Sequence, residues 1–263
     1  MTGKPETGAG YSSGQLVRVR ETCLYMATKL GDLLDDIVIV GGLAPYLLVD
    51  QGALPQGVEP QGVEPHAGTM DLDMGLALAL MNEERYRELS ARLRDAGFAP
   101  DVNAEGNSTL QRWVGGTRDP VTVDFLIPAG EGADGGELVH IERDLAAVET
   151  PDLELAFNDR VWKELSETVR SGAHATRSVP VCGAGAFTML KALAFGNRAE
   201  NKVAYDLFYL WRGVGVPDVA RTMQSLLPDA NVRAALDVIA RDFGSMDGPG
   251  PVAAAQFMTG ALY

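Results

Sequence analysis

Thr69-Met70-Asp71-Leu72-Asp73-Met74 decides how this chain is read. Successive side chains of an extended strand point to opposite faces, so Asp71 and Asp73 project together while Met70, Leu72 and Met74 turn toward a core. Downstream, Val121-Thr122-Val123-Asp124-Phe125-Leu126-Ile127 follows the same rule, with Val121, Val123, Phe125 and Ile127 on one face and Asp124 on the other. A neighbouring strand can thus bring a third carboxylate to the first two. Three carboxylates suit magnesium, which takes oxygen ligands and, in pairs, clamps the attacking and leaving oxygens of a phosphoryl displacement. The chemistry indicated is nucleotidyl transfer. An acid-rich chain, with 36 Asp and Glu in 263 residues, also produces Asp-x-Asp by chance on solvated loops. Here the pair interrupts an apolar alternation, where a charge needs a cation or a hydrogen-bond partner.

Upstream, Ile37-Val38-Ile39-Val40-Gly41-Gly42-Leu43-Ala44 is a short β-branched run that ends in two glycines. It passes into a short helix over 43–49, with Pro45 in the first turn. Glycines at such a turn let backbone N–H groups approach a phosphate, although the same dipeptide also makes a plain tight turn.

The order of strand, Gly-Gly, helix, Thr-x-Asp-x-Asp and a strand ending Val-Asp-Phe-Leu resembles the DNA polymerase β-type nucleotidyltransferase superfamily. The later stretches Leu190-Lys191-Ala192-Leu193-Ala194-Phe195-Gly196-Asn197-Arg198 and Lys202-Val203-Ala204-Tyr205-Asp206-Leu207-Phe208-Tyr209-Leu210 narrow the likeness. They resemble the Lys-x-x-Ala, Arg and Arg/Lys-Asp-x-x-Asp-Leu signature of the AbiEii/AbiGii-type toxin nucleotidyltransferases, the family that includes the MenT toxins. The likeness covers about residues 35–212. It departs from the family in three places. The gap before Asp71 is long and holds a tandem Gln-Gly-Val-Glu-Pro over 56–65, the first acid of the late pair is Val203, and Ala67-Gly68 stand where a basic residue is common.

The resemblance implies an α/β fold: a polymerase β-like nucleotidyltransferase core with a small mixed sheet, followed by an α-rich C-terminal part. It implies two Mg2+ ions on Asp71, Asp73 and Asp124, and an NTP held by Gly41, Gly42, Thr69, Lys191, Arg198 and Lys202. Asp206 would orient the nucleotide or an acceptor group beside Lys191. The implied activity is transfer of a nucleoside monophosphate to the 3′ end of tRNA, by a toxin that a cognate antitoxin protein neutralises. A small-molecule or protein nucleotidyltransferase, such as one that modifies an antibiotic, is the alternative, and a nucleotide-binding module without turnover is a third.

The late motif has its own logic. On a helix over 200–212, Val203, Leu207, Leu210 and Trp211 form an apolar stripe that includes Asp206. A carboxylate there needs a partner, either Lys191 on the preceding helix or Lys202 one turn before. A structural salt bridge would account for the pattern as well as a phosphate site would.

Composition fits a soluble enzyme, with 46% hydrophobic residues and no apolar run long enough to span a bilayer, so no membrane partner is expected. Residues 1–13 read as a disordered tail without a signal-peptide core, 14–150 as the catalytic core and 151–263 as the helical part of a cytoplasmic protein. Cys23 and Cys182 have no metal or disulfide spacing. A net charge of −14 is awkward for a nucleic-acid enzyme, and could instead attract a cationic acceptor such as an aminoglycoside. Arg160, Lys163, Arg170, Arg177, Lys191, Arg198, Lys202 and Arg212 fall in one stretch that could line a basic groove. Helices are expected over 15–30, 83–96 (capped by Asn82), 184–195, 200–212, 217–227 and 231–243, and strands over 37–40, 71–78, 109–114 and 121–127. His66, His140 and His174 are unclustered and read as surface positions, although His66 is near enough to the aspartates to touch a nucleotide.

Overall fold

The computed structural model describes residues 5–49, 66–77, 83–115, 120–130, 133, 135–168, 172, 174–227 and 230–261. The tandem Gln-Gly-Val-Glu-Pro, the Asn82 cap, Leu78, Arg170 and residues 1–4 lie outside them.

Helix α1 (Ser13–Leu30) opens with a capping box, in which Gln15 N–H donates to Ser12 Oγ (3.2 Å) and Ser12 N–H to Gln15 Oε1 (3.0 Å). These two bonds satisfy amides that the first helical turn leaves open. Its apolar stripe, Leu16, Val19, Cys23, Met26 and Leu30, is buried in the main core. Strand β1 (Ile37–Val40) is buried along its whole length, as four apolar residues in the middle of a sheet must be. A tight 3₁₀ turn over Gly41–Leu43 and the short helix α2 (Ala44–Leu48), with Pro45 in its first turn, follow directly.

The sheet is larger than the small one expected. Among the described residues it has nine strands: β1, β2 (Asp71–Leu76), β3 (Phe98–Val102), β4 (Ser108–Gly115), β5 (Val121–Pro128), β6 (Leu138–Glu142), β7 (Leu145–Thr150), β8 (Arg160–Thr168) and β9 (His174–Cys182). Their order is β3-β4-β5-β2-β1-β9-β8, with β7 on the later half of β5 and β6 beside β7. The sheet is mixed, since β1 pairs antiparallel with β2 and parallel with β9, and β2 pairs parallel with β5. Helix α3 (Glu83–Asp95) and the hairpin β3–β4 form the connection between β2 and β5.

The expected boundary at residue 150 falls inside this sheet, because β8 and β9 complete it and β9 packs directly against β1. The helical part therefore starts at α5 (Ala184–Arg198). Helix α4 (Glu154–Asn158) is one short turn within the sheet region. Beyond α5 come α6 (Asn201–Val214), α7 (Val216–Gln224), α8 (Ala230–Phe243) and α9 (Pro249–Thr259). Phe195, Val203, Ala204, Ala253 and Ala254 make a small second core between α5, α6 and α9. Residues 5–12, read as disordered tail, include a 3₁₀ turn over Gly8–Gly10, after which the ring of Tyr11 packs on Phe257 at 5.7 Å. No helix among the described residues is long and apolar enough to cross a membrane.

Candidate metal centre and phosphate pocket

The strand pairing brings the three aspartates together. In the parallel ladder of β2 and β5, Asp73 stands opposite Asp124 and Asp71 opposite Thr122, so all three carboxylates leave the same face. One oxygen from each lies within 4.8 Å of the others. The opposite face is apolar, with Leu72, Met74, Val123 and Phe125 buried. Asp71 itself is buried, and its Oδ1 accepts from Thr69 Oγ1 at 2.9 Å. Thr69 thus positions an aspartate through its side chain, which requires no direct contact with a ligand.

Asp124 carries a partner that the strand pattern alone did not suggest. Arg112 on β4 grips both its oxygens, Nε on Oδ1 at 2.6 Å and Nη2 on Oδ2 at 2.7 Å. Counting outward from the β4–β5 turn would have found the pair, because Gly115 opposes Val121 and Arg112 therefore opposes Asp124. The bond to Asp124 raises the Arg112 pKa further, so the guanidinium stays charged and offsets one of the three negative charges. Each carboxylate oxygen has two lone pairs, so the arginine leaves donor capacity for a cation. An all-carboxylate oxygen set fits hard divalent ions such as Mg2+, and poorly fits softer ones.

Gly41 and Gly42 hold the turn against the triad. Gly41 has φ of +67°, and a Cβ there would lie 1.8 Å from Asp73 Oδ2. A Cβ on Gly42 would lie 2.7 Å from Thr69 Oγ1 and 3.7 Å from Lys202 Nζ. The first glycine is required by both conformation and space, and the second by space.

Lys202 belongs to the second pole of the site. Asp206 on α6 has no exposed surface, and both lysines named by the sequence reach it: Lys191 Nζ to Oδ2 at 3.1 Å and Lys202 Nζ to Oδ1 at 2.5 Å. Burial alone would raise the Asp206 pKa, but the charges of Lys202 and Lys191 prevail and hold its carboxyl far below the usual carboxylate range. Burial lowers the Lys202 pKa, against the opposing pull of Asp206.

His66 is a correction, because it is buried rather than at the surface: 3% exposed, with Nε2 3.0 Å from Asp206 Oδ1. Gly68 N–H donates to its Nδ1 at 3.1 Å. Spacing could not reveal the pair, since 140 residues separate the partners. His140 and His174 are exposed, as the sequence reading has them.

Both poles line one cavity of about 1090 Å³. Gly41, Gly42, Thr69, Asp71 and Asp73 form one wall, and Lys191, Arg198, Lys202 and Asp206 another. Arg198 is well exposed and lies 3.7 Å from Glu200. Leu190, Leu193 and Ala194 are half-buried: they face this cavity and also pack against the apolar core. Two of the other basic residues of that stretch have backbone partners. Arg160 donates to the carbonyls of Asp35 and Ile37 at the start of β1, and Arg177 to the carbonyl of Thr176 at 2.8 Å. Neither a protein-family model nor a curated protein matches this chain.

Proposed function

We propose that the protein is a metal-dependent nucleotidyltransferase with a polymerase β-like core. One observation carries the reading: of three carboxylates within 4.8 Å of one another, Asp71 and Asp73 line a cavity with two lysines that sit on a buried aspartate. Asp71, Asp73 and Asp124 would hold Mg2+, which would supply Lewis-acid stabilisation of an in-line displacement at the α-phosphorus of an NTP, with Asp124 placed to help deprotonate the attacking hydroxyl. Lys191 and Lys202 would take the outer phosphates. Their two positive charges against the single charge of Asp206 leave one in surplus for an anion. Asp71, Asp73 and the tight Gly41-Gly42 turn would fix the reacting phosphate against the acceptor hydroxyl. The motif order further supports a toxin of the AbiEii/MenT kind, acting in the cytoplasm on the 3′ end of tRNA and restrained by an antitoxin.

A second acceptor class has its own support. Glu149 and Asp152 line the same cavity as the aspartates, and the chain carries a net charge of −14. A small polycation is therefore the competing acceptor. Incubation with each α-labelled NTP, Mg2+ and either total RNA or an aminoglycoside separates them. Labelled RNA supports the toxin reading and labelled aminoglycoside the second; no transfer to any acceptor, with no nucleotide binding, refutes both.

A further inference from the structure

Between the two poles runs a short segment, 66–70, that leads straight into the strand carrying Asp71 and Asp73. It is fastened to α6 at two points: His66 meets Asp206, and Ala67 N–H donates to Tyr205 Oη at 2.8 Å. The His66 ring lies 5.3 Å from the ring of Tyr205 and 4.7 Å, edge on, from that of Tyr209. Its two nitrogens face different kinds of group. The backbone N–H of Gly68 can only donate, so Nδ1 must accept, and the proton of a neutral ring then sits on Nε2 and is donated to Asp206 Oδ1. That oxygen also accepts from Lys202, and the other carboxylate oxygen from Lys191.

We propose that His66 is a positioning residue: as a neutral Nε2–H donor it holds the Asp206 carboxylate, and through it the two lysines, at a fixed distance from the aspartates of β2. The inference rests on the nucleotide reading above, and adds that the phosphate pole and the metal pole are joined by one imidazole. A neutral ring is also the one that suits the charge balance. The groups facing it are Asp206, Lys191, Lys202 and the two tyrosines, and a third cation there would repel both lysines. Burial keeps the ring neutral by lowering its pKa, with the lysines acting in the same direction against Asp206.

Amide side chains separate its two bonds. In His66→Gln the amide nitrogen can occupy the place of Nε2 and still donate to Asp206. In His66→Asn the amide oxygen takes the place of Nδ1 and Asp206 is out of reach. Affinity for inorganic tripolyphosphate, measured with EDTA present so that only the lysine pole binds, should be within about threefold of wild type in the Gln variant. It should fall about tenfold or more in the Asn variant, the scale of a lost hydrogen bond to a charged group. The NTP KM should follow the same order when measured well below both melting transitions, the Asn variant melting lower than the Gln variant. Equal affinities in the two variants, or a histidine nitrogen spectrum that puts the His66 proton on Nδ1, would overturn the inference. Tripolyphosphate binding with the predicted Gln/Asn split but no transfer to any acceptor would remove the transferase reading and leave His66 in place. A wild-type protein that binds no tripolyphosphate removes both.

Discussion

Replacing Gly41 by alanine strikes the structure at its tightest point. A left-handed backbone costs a non-glycine residue about 1 kcal/mol, and φ here is +67°. The added methyl would also lie 1.8 Å from Asp73 Oδ2 and 2.6 Å from its Cγ, so the carboxylate must leave its place. Overpacking of that kind adds roughly 1–3 kcal/mol. Together Gly41→Ala should lose about 2–4 kcal/mol, a fall in melting temperature of roughly 5–15 °C for a chain of this size. On the proposed function, displacing that carboxylate by an ångström costs on the order of 10²-fold in rate. Gly97→Ala provides the control, since Gly97 has φ of +81° with nothing within 4 Å of the added carbon. That variant should lose about 1 kcal/mol and keep full activity. Thermal melts, Mn2+ titration and transfer of label are run on both. If Gly41→Ala melts and binds Mn2+ as Gly97→Ala does, the contact between the glycine and Asp73 is not what holds the metal site together.

Three further outcomes follow from the same geometry. Asp71→Asn removes one of three mutually repelling carboxylates, so the metal-free protein should melt no lower than wild type while Mn2+ affinity and transfer collapse; retained Mn2+ binding would refute the cluster as a metal centre. Asp206→Asn leaves Lys191 and Lys202 without a counter-charge in a mostly buried site, which should cost about 3–5 kcal/mol in urea melts, and an unchanged midpoint would contradict the pairing. Stability should decline as pH falls below about 6.5, the ordinary histidine value, because the unfolded chain then takes up a proton that buried His66 resists. The limiting slope from this group is about 1.4 kcal/mol per pH unit, the carboxylates adding theirs only at lower pH, and His66→Gln should flatten the decline between pH 6.5 and 5.

Much of this arrangement was legible in the order of residues, because its elements are local. The alternation around Asp71-Leu72-Asp73 and around Asp124 defines two strands with carboxylates on one face, and the β-branched run before Gly41-Gly42 defines a buried strand and its turn. The period of α6 put Asp206 within its apolar stripe and named both of its lysines. What stayed hidden depended on pairing at a distance. Strand β3 carries Pro100 and sits at the sheet edge, where a weak apolar alternation suffices. In β8 the less exposed positions alternate with exposed ones but include Lys163 and Glu167, so the sequence shows little apolar periodicity there. His66 reads as a solitary polar residue until α6 is laid beside it. Leu190, Leu193 and Ala194 pack against the core and also wall the cavity, a double role that hydrophobic periodicity does not reveal.

The contact between His66 and Asp206 also bears on when the protein becomes competent. It closes a separation of 140 residues, and such contacts form only after the intervening chain has been ordered. During synthesis the three aspartates emerge well ahead of either lysine, so a nascent chain can assemble its acidic half while the cationic half is still unmade. The last strand of the sheet to pack on β1 is β9, and α5 follows it without a loop of any length. Completion of the sheet and arrival of Lys191 are thus one event. A chain stalled before that point would hold the strands of the three aspartates without the lysines that share their cavity, and competence for the proposed reaction would appear abruptly with the final helices rather than grow with length.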